Sequence, residues 1–392
     1  VTTPPAQRIP TEDPAAKPRV VLLSPSRGLG GGIERYLGTV EEHLRAGGAD
    51  VRRFDLRTSP ASLTARIRGQ YVLRTLASLY RMGQADSVVA GHASLALVAW
   101  AGARLVRASR VPVLFYGSDI WGGGQAQRRV VTRARLLYPV TISSFSAGAL
   151  AVLGPARILP PSVPPRWRTM LLAEAAQRRP PAGMPTVLTV FRLGVWQSKG
   201  LSDLVEAVTA AQATTGPVRL VVAGQGPAPS ALREFVAGHD NVELHESPDD
   251  AALARLYGAA DVFALCTRTR ATSPASGEGY GIVLMEAQLA GCAVVGPAVG
   301  GSRDAYLDGV TGRTPVDESP AALAEVLREL LDDRARLTQI GEAGTTWARA
   351  ATDPAGYTRL VMATLTGAVP GTPVTANAPG AAAPVTTGKS GK

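Results

Sequence analysis

"RVVLLSPSRGLGGGIERYLGTVEEHLRAGGADVRRFDL", residues 19–56, decides the fold. Its opening "RVVLLSPS" (19–26) is a continuous apolar run, as expected of a strand buried on both faces. "RGLGGG" follows, a glycine turn whose backbone can bend sharply and approach a ligand closely. "IERYLGTVEEHLRAGG" then carries apolar residues at helical spacing, and "ADVRRFDL" returns as a second strand. Strand, glycine turn, helix and strand form one βαβ unit, the building block of parallel sheets.

The alternation continues along the chain. Further strands are expected at 87–91, 111–116 and 138–143, with helical runs between them. Proline then crowds "PPSVPPRWRTMLLAEAAQRRPPAGMP" (160–185), which breaks the pattern and reads as a linker. A second series follows, with strands at 186–191, 218–224, 242–245, 262–266 and 293–297. Its helices fall at 201–213, 229–237, 249–258 and from near Ile282. The expected class is α/β, with two doubly wound Rossmann-like domains facing each other across a cleft. Ligands in such sheets bind beyond the carboxyl ends of the strands. The expected boundaries are a disordered lead at 1–18, a first domain at 19–165, the linker at 166–185 and a second domain at 186–352. A helix at 353–365 is placed to cross back to the first domain, and 366–392, rich in Pro, Gly, Ala and Thr, reads as unstructured.

Composition narrows the class. The 392 residues suffice for two cores, and 45% hydrophobic with 18% charged residues is ordinary for a globular protein. The two cysteines, Cys266 and Cys292, lie in apolar strand-like runs and read as buried, reduced thiols, consistent with a cytoplasmic protein. The lead lacks a signal-peptide core. The most apolar long stretch, 93–106, is too short for a bilayer and carries Arg104. The net charge of +10 is unevenly shared: residues 1–180 hold 25 Lys and Arg against 10 Asp and Glu, while 181–392 hold 16 against 21. The first half is therefore expected to face something anionic.

In the second half, "VFRLGVWQSKG" (190–200) leaves a strand and enters a helix, and Arg192 and Lys199 bracket the turn. An arginine can clamp two phosphate oxygens and a lysine supplies a point charge, although two solvated loop cations would look the same. "VVAGQGP" (221–227) is another strand with a glycine turn, at Gly224. "GEGYGIVLMEA" (277–287) holds two glutamates eight positions apart around an apolar run. A glycine loop feeding a helix accounts for it. Glu278 then sits on the loop beside Gly279, Tyr280 and Gly281, and Glu286 about one turn into a helix that starts at Ile282. Glu278 can accept hydrogen bonds from sugar hydroxyls, the amides near Gly281 and Ile282 suit a pyrophosphate, and Glu286 can accept both hydroxyls of a ribose.

Taken in order, "FRL…KG", "LVVAGQGP", "LARLYGAADVFALC" and "GEGYGIVLMEAQLAGCAVVGPAVGGSRDAYLDGVTGR" resemble the family-4 retaining glycosyltransferases of the GT-B fold, the E-x7-E enzymes. The resemblance covers most of 19–350 and is most specific over 186–315. It implies transfer of a sugar from a nucleotide-diphosphate sugar with the anomeric configuration kept. The first domain then takes the acceptor and the second the donor. Arg192 and Lys199 would neutralise the diphosphate, Glu278 hold the donor sugar and Glu286 the ribose, while the amides around Gly31 and Gly32 close on the phosphate from the first domain. The sequence contains no D-x-D stretch, so no metal and no cofactor is expected beyond the nucleotide-sugar co-substrate, with a UDP-sugar favoured over a GDP-sugar.

The resemblance also implies same-face attack, in which the departing phosphate oxygen takes the acceptor proton. Asp119 in "YGSDIWG" would position the acceptor or cap its own loop. His92, which follows a strand, would contact the sugar or the acceptor. Two positions depart from the family: Tyr116 stands where a histidine usually contacts the donor sugar, and Asp304 where glutamate is common. Tyr116, Arg268 and Arg270 are the candidates for reading the sugar, with the two arginines suited to an acidic one such as a uronic acid.

Basic stretches suggest the acceptor. Residues 63–82 place Arg66, Arg74 and Arg81 near one stripe, with Ile67, Leu73, Leu76, Leu79 and Tyr80 available for burial. Residues 127–139 add Arg128, Arg129, Arg133 and Arg135. Such surfaces suit anionic lipid headgroups. The expected partners are a nucleotide-diphosphate sugar, a small or lipid-linked acceptor and an anionic membrane surface, with no nucleic acid. An uncharged secondary metabolite is a further acceptor class. Two other classes compete. A Rossmann oxidoreductase fails at residue 33, which is Ile where G-x-G-x-x-G needs glycine, and an inactive sugar-nucleotide-binding module would have no use for Arg192 and Lys199.

Overall fold

The computed structural model describes residues 17–60, 62–121, 136–178, 183–270 and 276–367. Residues 1–16 of the lead, the tail beyond 367, Arg128, Arg129, Arg133 and Arg135 lie outside the described residues.

The first domain contains strands β1 (Arg19–Ser24), β2 (Asp50–Asp55), β3 (Ser87–Ala90), β4 (Val111–Phe115), β5 (Leu137–Thr141) and β6 (Arg157–Ile158). Its helices are α1 (Gly32–Ala46), α2 (Ala65–Met82), α3 (Ala96–Leu105), α4 (Gly117–Trp121) and α5 (Ser144–Ala149). The second domain contains β7 (Thr186–Val190), β8 (Arg219–Gly224), β9 (Val242–Glu246), β10 (Val262–Ala264), β11 (Ala293–Val295) and β12 (Gly312–Arg313). A helix α6 (Pro165–Gln177) joins the two domains. The remaining helices are α7 (Leu201–Thr215), α8 (Ser230–Ala237), α9 (Asp250–Ala259), α10 (Ile282–Leu289), α11 (Pro320–Asp332), α12 (Arg334–Ala351) and α13 (Pro354–Leu365).

Both sheets are parallel, with strand orders β2-β1-β3-β4-β5-β6 and β12-β11-β10-β7-β8-β9. Each central strand is buried on both faces, so its sequence is a continuous apolar run: all of Val111–Phe115 is buried, as is β1 after Arg19. The strand orders fix where ligands can bind. Order reverses between β1 and β3 in the first sheet and between β7 and β10 in the second. The crevices therefore open above the glycine turn and His92 on one side, and above Arg192–Lys199 and Thr267 on the other.

The proline-rich stretch read as a linker is for the most part the helix α6. Pro164 is its N-cap and Pro165 its first residue, where a missing amide costs nothing. It packs on α9 and α10, its Trp167 ring lies 6.3 Å from Tyr257, and Arg168 donates to the Arg349 carbonyl at 3.0 Å. The last helix, α13, crosses back. Tyr357, Val361, Met362 and Leu365 join the first domain's core with Tyr36, Leu37, Val40 and Leu44 of α1. Ser87 donates to the Leu365 carbonyl at 2.7 Å and Tyr138 to that of Thr364 at 2.8 Å.

On α2, Leu79 is buried as expected, but Leu73 and Tyr80 are not: they are 71% and 75% exposed, because the helix packs on α3 through its other side. Both cysteines are free. No helix among the described residues is long and apolar enough to cross a membrane.

Candidate active site

Three side chains from three connections meet above the β7–β10 switch. Lys199 ends the 3-10 helix after β7, and its Nζ lies 3.2 Å from Glu278 Oε2. Thr267 follows β10; it accepts a hydrogen bond from Lys199 Nζ at 3.2 Å and donates one to Glu278 Oε2 at 3.0 Å. Thr267 is 4% exposed, yet Lys199 and Glu278 keep accessible surface, so the charged pair opens outward from a buried hydroxyl. Arg192 is exposed nearby at the start of the same turn, and its side chain has no hydrogen-bonding partner among the described residues.

The glycine loop 277–281 is braced from below. Gly301 donates its amide to the Glu278 carbonyl at 2.8 Å. A Cβ on Gly301 would stand 2.0 Å from the Gly279 carbonyl oxygen, a distance no side chain tolerates. Gly281 is the N-cap of α10, so the amides at Gly281 and Ile282 lie at a helix N-terminus. Tyr280 turns its ring into the core at 4% exposure and contributes backbone only. Gly224 ends β8 against Phe191, the residue that leads into Arg192.

Glu286 stands about one turn into α10, as expected, and is buried there. It is 4% exposed, and its Oε2 accepts from the Tyr257 hydroxyl at 3.1 Å. Burial pushes its carboxyl up, and Arg35, Tyr257 and Trp167 pull it only partly back. Burial likewise drives the Tyr257 phenol well above its ordinary range, with the Glu286 charge adding to it.

From the first domain, Gly28, Gly30 and Gly31 all take positive φ (77°, 74° and 126°), which only glycine does freely. Glu34, three residues into α1, holds the loop: it accepts from the Gly28 amide, from the Leu29 amide at 3.2 Å and from Ser26 at 3.1 Å. Burial raises the Glu34 carboxyl, but those donors together with Arg53 outweigh it and hold it below the usual range. The amides of Gly31 and Gly32 bond nothing among the described residues and lie at the N-terminus of a 15-residue helix. Arg35, one residue after Glu34, projects its positive charge onto Glu286 and Tyr257 of the second domain.

His92 follows β3. Its Nδ1 accepts from the Ser94 amide at 3.1 Å, which leaves the proton of the neutral ring on Nε2, 3.8 Å from Asp119 Oδ2. Asp119 is buried and accepts from the Tyr116 amide at 3.1 Å, the loop-capping arrangement. Tyr116 is buried. Its hydroxyl donates to the Gly91 carbonyl at 3.1 Å and its ring stacks on His92 with centroids 5.9 Å apart, so it forms the wall behind the histidine.

Arg268 and Arg270 lie on the chain that follows Thr267. The Arg268 side chain is engaged by Asp203 on α7. Arg270 has an exposed side chain and its backbone pairs with Ser276; residues 271–275 lie outside the described residues.

A family model described as "Glycosyl transferases group 1" matches residues 184–333. A GDP-mannose-dependent alpha-(1-6)-phosphatidylinositol monomannoside mannosyltransferase of Mycobacterium tuberculosis is 32% identical over 263 residues, 63% of this chain and 67% of that protein. This chain belongs to the group 1 glycosyltransferases. A second relative, a D-inositol 3-phosphate glycosyltransferase of Xylanimonas cellulosilytica, is 36% identical over 192 residues, covering 47% of this glycosyltransferase and 42% of its relative. Among solved structures, a Rickettsia africae glycosyltransferase superposes with a TM-score of 0.69 at 15% identity, covering 88% of this chain and 96% of its own. Anabaena HepE in complex with UDP-glucose gives 0.63 at 18%, covering 89% and 100%. The fold of this glycosyltransferase is GT-B.

Four residues of the site escaped the sequence reading. Thr267 and Trp167 carry no signal, because a lone hydroxyl after a strand and an indole in a proline-rich stretch are common. Arg35 was one more arginine in a basic half. Glu34 had a signal, since a glutamate at the third helical position commonly reaches back to amides before the helix.

Proposed function

We propose that this glycosyltransferase is a retaining enzyme that moves a hexosyl group from a nucleotide-diphosphate sugar to a hydroxyl of a phosphorylated, lipid-borne acceptor, without a metal. The observation that carries the reading is the Lys199–Thr267–Glu278 cluster at the sheet switch point, with the unpartnered Arg192 beside it. Lys199 and Arg192 take up the charge that develops on the departing diphosphate. The free amides of Gly31 and Gly32 oppose it from the first domain. Glu278 holds hydroxyls of the transferred sugar. His92, kept in one tautomer by Ser94, faces the reacting centre with Nε2–H. Same-face attack suits this site: Asp119 is spent on the Tyr116 amide and is not aimed as a nucleophile. For Glu286 to bind ribose, the hydroxyls must share the carboxylate with the Tyr257 hydroxyl or replace it as donor.

The donor we propose is GDP-mannose, on the strength of the mycobacterial relative's name; this replaces the uridine nucleotide expected from the resemblance. The acceptor class rests on the same relative and on α2. This helix has four arginines and no acidic residue, and Leu73 and Tyr80 project between the exposed Arg66, Arg74 and Arg81. Beside it α3 exposes Leu97 at 60%. Apolar side chains ringed by arginine suit peripheral docking on an anionic leaflet.

The test is melting of the purified protein with GDP-mannose, UDP-glucose and a UDP-uronic acid, since selective binding raises the melting temperature. It is followed by NMR of the product's anomeric linkage. A rise with GDP-mannose and an axial product linkage are expected; no rise with any donor rejects the reading, and an inverted linkage rejects retention. Co-sedimentation with anionic but not neutral vesicles is expected, and equal recovery with both rejects docking.

A further inference from the structure

We propose that Asp304 is a positioning residue, a strap that ties the second domain to the first and thereby sets where Glu278 stands relative to the acceptor side. Its activity readout rests on the reading above; its structural readout does not.

Asp304 lies in a 3-10 turn, Gly301–Ala305, of the second domain, and Ser144 opens α5 in the first. Oδ2 of Asp304 accepts from the Ser144 amide at 2.5 Å, and Oδ1 accepts from the Ser144 hydroxyl at 2.5 Å. The first turn of α5 has amides without helical partners. Ser143 satisfies one of them, accepting from the Ser146 amide at 3.2 Å, and Asp304 satisfies another from across the cleft. A carboxylate at a helix N-terminus is also favoured by the helix dipole.

The other end of the same short turn holds the donor loop. Gly301 donates to the Glu278 carbonyl at 2.8 Å, and a Cβ there would lie 2.4 Å from Ser143 Oγ. A Cβ on Gly279 would lie 3.0 Å from Ile142 Cδ1. Ser144, Asp304, Gly301 and Glu278 thus form a continuous path only a few residues long between the domains. A cleft that admits a nucleotide sugar and releases a nucleotide must open, and opening separates Asp304 from Ser144 because they belong to different domains. The donor-facing trio Lys199, Thr267 and Glu278 lies wholly in the second domain and stays intact when the strap breaks. Loss of the strap therefore spares donor binding and lowers turnover.

The experiment compares the full chain with Asp304→Ala, Ser144→Ala and the double variant, using GDP-mannose as probe. For Asp304→Ala we expect a larger radius of gyration by small-angle scattering without ligand. Its kcat is expected to be about tenfold lower, equivalent to about 1.4 kcal/mol, with a donor-induced melting shift equal to the parent's. Ser144→Ala keeps the backbone bond and should lose about threefold. The double variant should match Asp304→Ala, because both substitutions break one contact. Should Asp304→Ala fail to fold, Asp304→Asn, which keeps shape but not charge, carries the same comparison. Parent-like radius and kcat in the Asp304 variant, or multiplicative losses in the double variant, overturn the proposal. If the parent does not bind or turn over GDP-mannose, the functional reading fails on its own, and the radius without ligand still decides the strap.

Discussion

Thr267 is a single hydroxyl between two opposite charges. It accepts from Lys199 and donates to Glu278 while those two also bond each other directly at 3.2 Å, so it closes a three-membered network that fixes both charged groups beside the crevice. Thr267→Val preserves shape and removes both hydrogen bonds. A hydrogen bond to a charged group is worth roughly 1.5–3 kcal/mol, so donor kcat/KM should fall at least tenfold. Thr267→Ser should restore most of it, and equal activity in the valine and serine variants would show the hydroxyl to be idle. Glu286 yields a pH prediction. Its folded carboxyl titrates above the ordinary value of 4.5 because burial disfavours its charge. The folded state therefore binds that proton more tightly than the unfolded chain. Stability is lost as pH rises from 4.5 through the raised value, and the cost is complete above it. Glu286→Gln removes the charge, so its melting temperature should match the parent's below pH 4.5 and exceed it at pH 7. A constant offset across that range would contradict the assignment.

At the scale of elements, Gly301 is where the donor loop and its supporting turn come closest. Gly301→Ala drives a methyl into the Gly279 carbonyl, and overpacking of this kind typically costs about 1–3 kcal/mol. Transfer activity should fall further than the melting temperature suggests, because the displaced strand of chain carries Glu278. Unchanged donor affinity in that variant would count against the bracing. The sequence revealed elements where one local rule dominated. Strands buried on both faces announce themselves as apolar runs, and glycine turns placed Gly31, Lys199 and Glu278 at strand ends. β6 and β12 went unseen because each pairs over only two residues at a sheet edge. The helix α6 was hidden by the prolines around it, although "RWRTMLLAEAAQ" is itself a good helical sequence. Side-chain direction was the least legible. Whether Tyr116 faces a sugar or Gly91, and whether Arg268 faces Glu278 or Asp203, depends on neighbours distant in sequence.

Across the whole molecule, two sheets with mirrored switch points bring first-domain amides and second-domain cations to one crevice. The last helix then holds the first domain from outside. Leu365 is fully buried in that contact. Leu365→Ala should cost about 2–5 kcal/mol and lower the melting temperature by on the order of 10 °C. A change under 2 °C would mean that α13 adds little to the core. Because α13 supplies Tyr357, Val361, Met362 and Leu365 to a core that otherwise begins at Val20, the N-terminal half cannot finish folding as it leaves the ribosome. Its apolar flank stays bare from the synthesis of Leu159 until Leu365 has been translated, so nascent chains of intermediate length should be the ones most dependent on chaperones.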